Sequence, residues 1–414
     1  MHSASNGAVA QLARPTALRL SYVLDASILV MLLAASSAPT PLYTTYQEQW
    51  GLTALTVTVV FSAYALALLL ALLTTGRLSD HVGRRPVLAG ALALEAVAMI
   101  LFAGADGPTV LILARILQGI ATGAATAAAG AALLDIEDPR HPGRAALTNS
   151  IAPVAGMAAG VLAATLLIRF VPGPTTTVYV LLTSVFAAQA VAVTFSVETV
   201  HRHTGAWRSL RPRVSVPLEA RRALVLSGMG VMAIWALGGY YSSLGPALVR
   251  AVAPAAPHAA GGLVFFTVTA AAALTVWATN RIPAVTTVLA GSAAVLPAVA
   301  LTLAGLHGWG LTAVFAGAAL AGIAFGSVSQ GALRMTLAKV SSRQRAATLA
   351  TYYVLSYLSM SLPAIAAGAA TVRYGLETAV HLYGGAVSLL SLAAVLTLSL
   401  STLRRGQRLA NMSK

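Results

Sequence analysis

Residues 282–333 read IPAVTTVLAGSAAVLPAVALTLAGLHGWGLTAVFAGAALAGIAFGSVSQGAL, without one Asp, Glu, Lys or Arg. A helix needs about 20 mostly apolar residues to cross the hydrocarbon core of a bilayer. The stretch therefore holds two crossings joined by a tight turn near His307-Gly308. Strands fit poorly, because barrel strands alternate apolar and polar residues over about ten positions and these residues are apolar all round.

Working outward in both directions, the same pattern gives twelve spans. They are expected at 20–38, 54–74, 87–105, 109–134, 145–168, 176–197, 223–244, 260–278, 284–306, 310–333, 346–370 and 378–403. Composition agrees: 58% of the 414 residues are hydrophobic and 9% are charged, against roughly 25% charged in a soluble domain. A soluble enzyme, a disordered regulator and a nucleic-acid-binding domain are excluded on that ground. Cysteine is absent, which removes disulfides and thiolate sites. The first span carries Asp25 and no small-residue cleavage pattern follows it, so it is expected to be a permanent helix rather than a signal peptide.

The net charge of +15 is explained by where the charges lie. With the N-terminus inside, 22 of the 26 basic residues fall in inner loops. The outer loops hold Arg169, Arg250 and Arg373, and Arg115 lies inside a span. Basic residues stay on the cytoplasmic side, so both termini are expected there, with the basic face against anionic lipid. Arginine outnumbers lysine heavily (only Lys339 and Lys414), a usage typical of GC-rich bacteria, and a bacterial cytoplasmic membrane is the expected location.

The longest polar stretch, 198–222, divides six spans from six. The expected domains are residues 1–197, a central cytoplasmic loop 198–222, and residues 223–414. Val87-Leu88-Ala89-Gly90 recurs as Val288-Leu289-Ala290-Gly291, and Arg144-Ala145-Ala146 recurs as Arg345-Ala346-Ala347, both at an offset of 201 residues. Two parallel halves around an axis along the membrane normal are one transporter architecture, with the substrate site near the midplane. The fold class expected is all-α: twelve membrane helices in two pseudo-symmetric six-helix bundles.

Between the second and third spans stands Gly76-Arg-Leu-Ser-Asp80-His-Val-Gly83-Arg84-Arg85-Pro86. This resembles the signature loop of the major facilitator superfamily, G-x-x-x-D-x-x-G-R-[RK], at every defining position. Gly76 and Gly83 suit a tight turn and close backbone approach, and Asp80 suits an opposing helix N-terminus. The resemblance implies a cytoplasmic gate of Gly76, Asp80, Gly83, Arg84 and Arg85. It also implies that Arg84 pairs with an acid at the inner end of the fourth span, Asp135 first and Glu137 second. At the 201-residue offset the second half has Arg281 and Val285 instead, so its copy of the motif is lost.

Arg115-Ile-Leu-Gln118-Gly119 resembles the R-x-x-Q-G motif common in proton-driven exporters of the family. Asn149 to Gly160, with Pro153 and Gly156, partly resembles the antiporter motif of drug:proton exchangers, although the usual Gly-Pro pair reads Ala152-Pro153. Small residues four apart also serve plain helix packing. Pro39-Thr-Pro41-Leu-Tyr43 resembles the proline-rich exit of the first helix in drug exporters.

An ionisable residue inside the membrane is costly and functional by default. Glu95 lies about 13 Å along the third span from Pro86, at 1.5 Å per residue. Arg115 is the cation deep in a span, and antiparallel neighbours could bring the two together as a pair. Asp25 is read first as an interfacial acid near Arg19, and second as a further coupling acid. No acid lies between Arg222 and Arg373, so any proton carrier must come from the first half. The offset partners of Glu95 and Arg115 are Leu296 and Ala316.

The cavity expected is apolar and aromatic with sparse polar points: Trp235, Tyr240, Tyr241, Phe265, Phe266, Tyr353 and Tyr357, with Ser36, Ser37, Gln118, Asn149 and Gln330. Gly238-Gly239-Tyr240-Tyr241 is read as a break in the seventh span. Such walls suit lipophilic or amphipathic compounds. The function expected is secondary active transport by alternating access, as proton-coupled efflux. A proton-linked or facilitative metabolite importer is the alternative, and a non-transporting membrane sensor a third. Neither an enzyme, a cofactor, a metal cluster nor a nucleic-acid partner is expected. The partners are a small molecule, protons and the bilayer, and the chain is expected to act as a monomer.

Overall fold

A computed structural model of the chain describes residues 15–412 except 202, 203, 213, 258 and 339; the side chains at 342, 343, 346 and 404–412 also lie outside the description. Of the inner-loop cations, Arg14, Arg202, Arg213, Lys339 and Lys414 fall outside it altogether, as do the side chains of Arg343, Arg404, Arg405 and Arg408.

Among the described residues there is no strand. The chain divides into two compact units, Met1–Arg213 and Val214–Lys414. The first holds α1 (Pro15–Ser37), α2 (Tyr43–Trp50), α3 (Ala54–Thr75), α4 (Ser79–Val82), α5 (Arg84–Ala103), α6 (Pro108–Asp135), α7 (Arg144–Phe170), α8 (Pro174–Val193) and α9 (Ala206–Ser209). The second holds α10 (Leu218–Ser243), α11 (Gly245–Val252), α12 (Ala259–Ala278), α13 (Ala284–Ala304), α14 (Gly310–Leu337), α15 (Ser342–Tyr374) and α16 (Leu376–Met412). Six long helices per unit make twelve. The apolar run that opens the second half of the sequence is helical from Ala284 to Leu337, 54 residues. It is bent at Gly305–Trp309, where His307 and Gly308 leave helical geometry. α13 and α14 are therefore two helices packed on one another.

Local chemistry sets the ends. Thr53 caps α3, its hydroxyl accepting from the Thr56 N–H at 3.1 Å. Proline occupies the first turn of α6, α8 and α11, where its missing N–H costs nothing. Large apolar side chains such as Leu70, Ile100, Leu274, Leu389 and Leu396 are exposed. In a soluble monomer so much apolar surface would be a liability; in lipid it is the outer wall, and only helices satisfy their own backbone there.

Two elements differ from the sequence reading. The exit of the first span is a separate eight-residue helix, α2, and α11 occupies the same place after the seventh span. Each is too short to cross, so hydropathy does not reveal it. Gly238-Gly239-Tyr240-Tyr241 is not a break, because α10 runs unbroken to Ser243. Gly239 serves contact instead: a Cβ there would stand 2.6 Å from the Met360 carbonyl oxygen on α15.

Glycine pairs hold the long helices together. A Cβ at Gly123 on α6 would lie 2.7 Å from Ala71 Cβ and 2.8 Å from the Leu68 carbonyl on α3. Gly119, one turn earlier, meets the Tyr64 carbonyl in the same way. In the second unit, Gly322 and Gly326 on α14 press on Val268 and Ala272 of α12. These contacts correspond at an offset of 203 residues on α6 and α14, not 201, because intervening loops differ in length. The counterpart of Arg115 is thus Ala318 rather than Ala316. Gly156 and Gly160 on α7 meet the carbonyls of Val30 and Ala34 on α1.

Overpacking a close contact costs about 1–3 kcal/mol, and here the neighbour is backbone, which cannot step aside. Gly160→Leu should therefore lower the thermal unfolding temperature in detergent by several degrees. Gly90→Leu, where the surrounding space is open, should leave it unchanged. Equal stability of the two variants would remove the packing role of Gly160.

Candidate functional site

Two polar clusters lie in the first unit. One forms where α4 turns into α5. Gly83 sits at φ 108°, a conformation only glycine adopts readily, and it starts α5 directly behind α4. Gly76, by contrast, stays right-handed at φ −57°, so the sharp turn rests on Gly83. Arg84 is nearly buried. Its Nη1 donates to Asp80 Oδ1 at 2.5 Å and to Ser79 Oγ at 2.6 Å, and its Nε donates to Asp135 Oδ2 at 3.1 Å. Thr199 Oγ1 donates to the same Asp135 oxygen at 2.8 Å. Glu137 is engaged elsewhere, accepting from the Ala145 N–H at 2.9 Å.

The sequence reading missed Glu198, which it placed at the start of a loop. Its Oε1 accepts from the Arg84 N–H at 2.8 Å and its Oε2 from the Arg85 N–H at 3.1 Å. It also accepts from the N–H groups of Thr199 and Val200. The first N–H groups of a helix have no partner within it, and the helix N-terminus attracts an anion. Glu198 supplies both needs for α5 and ties residues 198–200 to the loop motif. Its only trace in the sequence is an isolated acid just past a span. Arg85 enters this cluster through its backbone.

Asp25 is buried at 4% exposure. It makes no ion pair with Arg19, which is exposed. Its electrostatic neighbour is Asp135, so the expected partnership with Arg19 is corrected: α1 turns Asp25 inward.

The second cluster lies deeper. Glu95 on α5 and Arg115 on α6 are both fully buried, yet they form no ion pair. Arg115 Nη1 donates to the Ser36 carbonyl at 2.9 Å and to Gln118 Oε1 at 2.8 Å, and Nη2 donates to Tyr43 Oη at 2.6 Å. Its guanidinium lies 5.3 Å from the Tyr64 ring centroid and 5.6 Å from that of Phe102. Neutral oxygens and aromatic faces thus hold the charge; such cation–π contacts are worth about 2 kcal/mol when desolvated. Glu95 Oε2 accepts from Thr122 Oγ1 at 3.3 Å, one helical turn beyond Gln118. Four polar atoms in this cluster have no hydrogen-bond partner: Glu95 Oε1, Arg115 Nε, Gln118 Nε2 and Tyr64 Oη. Natural interiors leave few such atoms, and each calls for an explanation.

The other expected cavity residues divide. Ser37 donates to the Met157 carbonyl at 2.8 Å and locks α1 to α7. Asn149 donates to the Gly130 carbonyl at 3.0 Å. Gln330 accepts from Thr279 at 3.0 Å. In the second unit, Trp235 packs on Phe325 and Tyr357, with ring centroids 5.3 and 5.2 Å apart, and Tyr353 adjoins Tyr357. These four rings are half-buried. Phe325 was missed because a phenylalanine inside an apolar span carries no signal of its own. Tyr240 and Tyr241 stand apart from them. Both are buried; Tyr241 bonds Thr302 at 2.6 Å and Tyr240 stacks toward Tyr383. Phe265 is buried on α12, whereas Phe266 is half-buried.

Residues 26–249, more than half of the chain, match the Major Facilitator Superfamily. The chain belongs to that superfamily. It is a multi-pass membrane protein of that fold. Curated relatives include the multidrug resistance protein MdtL of Escherichia coli O139:H28 and that of Shigella boydii serotype 18, each 30% identical over 113 residues. That alignment spans 27% of this chain and 29% of theirs. Among solved structures, a mutant form of the nucleoside transporter NupG superposes with TM-score 0.73 at 13% identity, over 91% of this chain and 99% of that one. A bacterial homolog of the human lysosomal transporter Spinster, inward-facing and unoccupied, gives 0.67 at 14%, over 94% and 96%. At such identities the structures show a shared fold.

Glu198→Ala should orphan the Arg84 and Arg85 N–H groups, at about 1–3 kcal/mol for a buried unsatisfied donor. Thermal unfolding should start several degrees lower, and Glu198→Gln, which still offers an oxygen, should recover most of the loss. An unchanged Glu198→Ala melting curve would remove the clamp from the account of this site.

Proposed function

We propose that this transporter exports lipophilic or amphipathic small molecules across the bacterial cytoplasmic membrane, driven by protons moving inward. Both termini face the cytoplasm, and two six-helix bundles, residues 1–197 and 223–414 joined by the loop 198–222, alternate access. The Asp80–Arg84–Asp135 cluster, with Gly76, Gly83 and Arg85, forms the cytoplasmic gate. Trp235, Phe325, Tyr353 and Tyr357 offer the apolar surface for cargo. The partial likeness to MdtL, named as a multidrug resistance protein, supports efflux of this class.

One observation carries the coupling. Glu95 has one oxygen bonded to Thr122, and Gln118 is the other neutral side chain that faces it. A proton can join the carboxylate without displacing a charged partner. No ion pair with Arg115 has to open first. A difference in proton affinity between two conformations is what links a gradient to transport.

Two expected outcomes test this reading. In everted vesicles with an imposed proton gradient, Glu95→Gln should abolish accumulation of a fluorescent amphipathic cation while leaving downhill exchange. Since no ion pair is lost, its melting temperature should stay near that of the parent. A well-folded variant that still concentrates the dye would sink the role of Glu95, and Asp25→Asn in the same assay would then test the other buried acid.

The second concerns cargo range. Trp235→Ala should change which compounds are carried at near-normal stability. Tyr241→Ala should instead destabilise, because it truncates a buried ring, with large-to-small aromatic changes costing about 3–5 kcal/mol. The opposite pattern would place the cargo surface elsewhere.

A further inference from the structure

The sequence shows no metal motif, yet the fold brings His307, Glu377 and His381 together at one end of the second unit. One ligand atom from each lies within 4.8 Å of the others, and all three residues are exposed. Glu377 and His381 are four apart at the start of α16, hence on one face of the helix. His307 comes from the turn between α13 and α14. Its position is set by backbone rather than packing: the next residue, Gly308, holds φ 99°, and Gly310 holds φ 69°.

The imidazoles are arranged as metal ligands are. The Nε2 atoms of His307 and His381 stand 2.9 Å apart. As it stands this is a hydrogen bond; two nitrogens each about 2.0–2.1 Å from a tetrahedral zinc ion are about 3.3–3.4 Å apart, so the rings need to part by only about half an ångström to admit one. His381 Nδ1 donates to the backbone carbonyl of Glu377 at 2.8 Å. That bond fixes the Nδ1–H tautomer and leaves the Nε2 lone pair directed at His307, the outer-partner arrangement usual for ligating histidines. Two imidazoles and a carboxylate favour borderline ions such as zinc or nickel over magnesium or calcium.

We propose that His307, His381 and Glu377 form a surface site for one divalent transition-metal ion of the zinc class, with water completing the shell. A bound ion joins the 305–309 turn to α16, tying the α13–α14 pair to the last helix of the second unit. This goes beyond the expectation of no metal cluster and does not depend on the efflux reading.

The full chain, purified without a polyhistidine tag and with Trp50, Trp207, Trp235 and Trp277 replaced by Phe, is titrated with nickel while the fluorescence of the remaining Trp309 is followed. Trp309 is exposed and two residues from His307, and nickel quenches a nearby indole. Saturable quenching with one ion per chain is expected, relieved by zinc, and absent in His307→Ala and in His381→Ala. Zinc should also raise the melting temperature of the parent, as any ligand of the folded state does, and should not raise that of either variant. Absence of saturable binding, or binding retained in both histidine variants, overturns the site.

Discussion

In a bilayer no hydrophobic force draws one helix to another, because lipid is as apolar as leucine; close van der Waals contact must do it. Everything else in each unit depends on that contact, and glycine supplies it. Gly119 and Gly123 bring α6 onto α3, and Gly156 and Gly160 bring α7 onto α1. The consequence reaches the polar cluster directly. Arg115 reaches the Ser36 carbonyl on α1 and the face of Tyr64 on α3 because α6 lies so near both. A larger residue at 119 would push apart the helices whose carbonyl and ring hold the charge.

The two units repeat this packing but not its chemistry. Gly322 and Gly326 reproduce the α6–α3 contact between α14 and α12, while Ala318 stands where Arg115 does and is completely buried. The first unit therefore carries the buried charge and the second an aromatic surface. A scaffold alone would not need this asymmetry, since the glycines hold both units equally. Charge in the membrane is retained only where it works.

How much was legible follows from the range of each interaction. All twelve long helices were readable, because an apolar run of the right length is a local signal. Asp135 beside Arg84 was implied by the recognisable motif, whereas the bond from Arg84 to Asp80, one helical turn away, was not read. Nor was Glu198: it meets Arg84 across 114 residues, and nothing local marks it. The Glu95–Arg115 pair was expected from depth alone, and depth cannot say that Ser36, Tyr43 and Gln118 would take the guanidinium first. Nor can spacing tell Trp235 from Tyr241. They lie on one helix, and only their neighbours on α13, α14 and α15 decide which ring is half-open and which is packing. His307 and His381 are 74 residues apart, with a glycine turn fixing one of them.

The separation of Glu95 from Arg115 has a physical use. A buried carboxylate locked to an arginine would hold its charge through every conformation, and breaking such a pair costs about 3–5 kcal/mol. A carboxyl beside a hydroxyl and an amide has no such lock. Arg115 is held by neutral oxygens and three rings rather than by Glu95. Gln118 stands between them: its oxygen accepts from Arg115, and its side chain also faces Glu95. A small turn of that amide toward Glu95 would favour the carboxylate, and a turn away would favour the acid. Under the coupling proposed above, one neutral side chain would relate the protonation of α5 to the position of α6 without moving a buried charge.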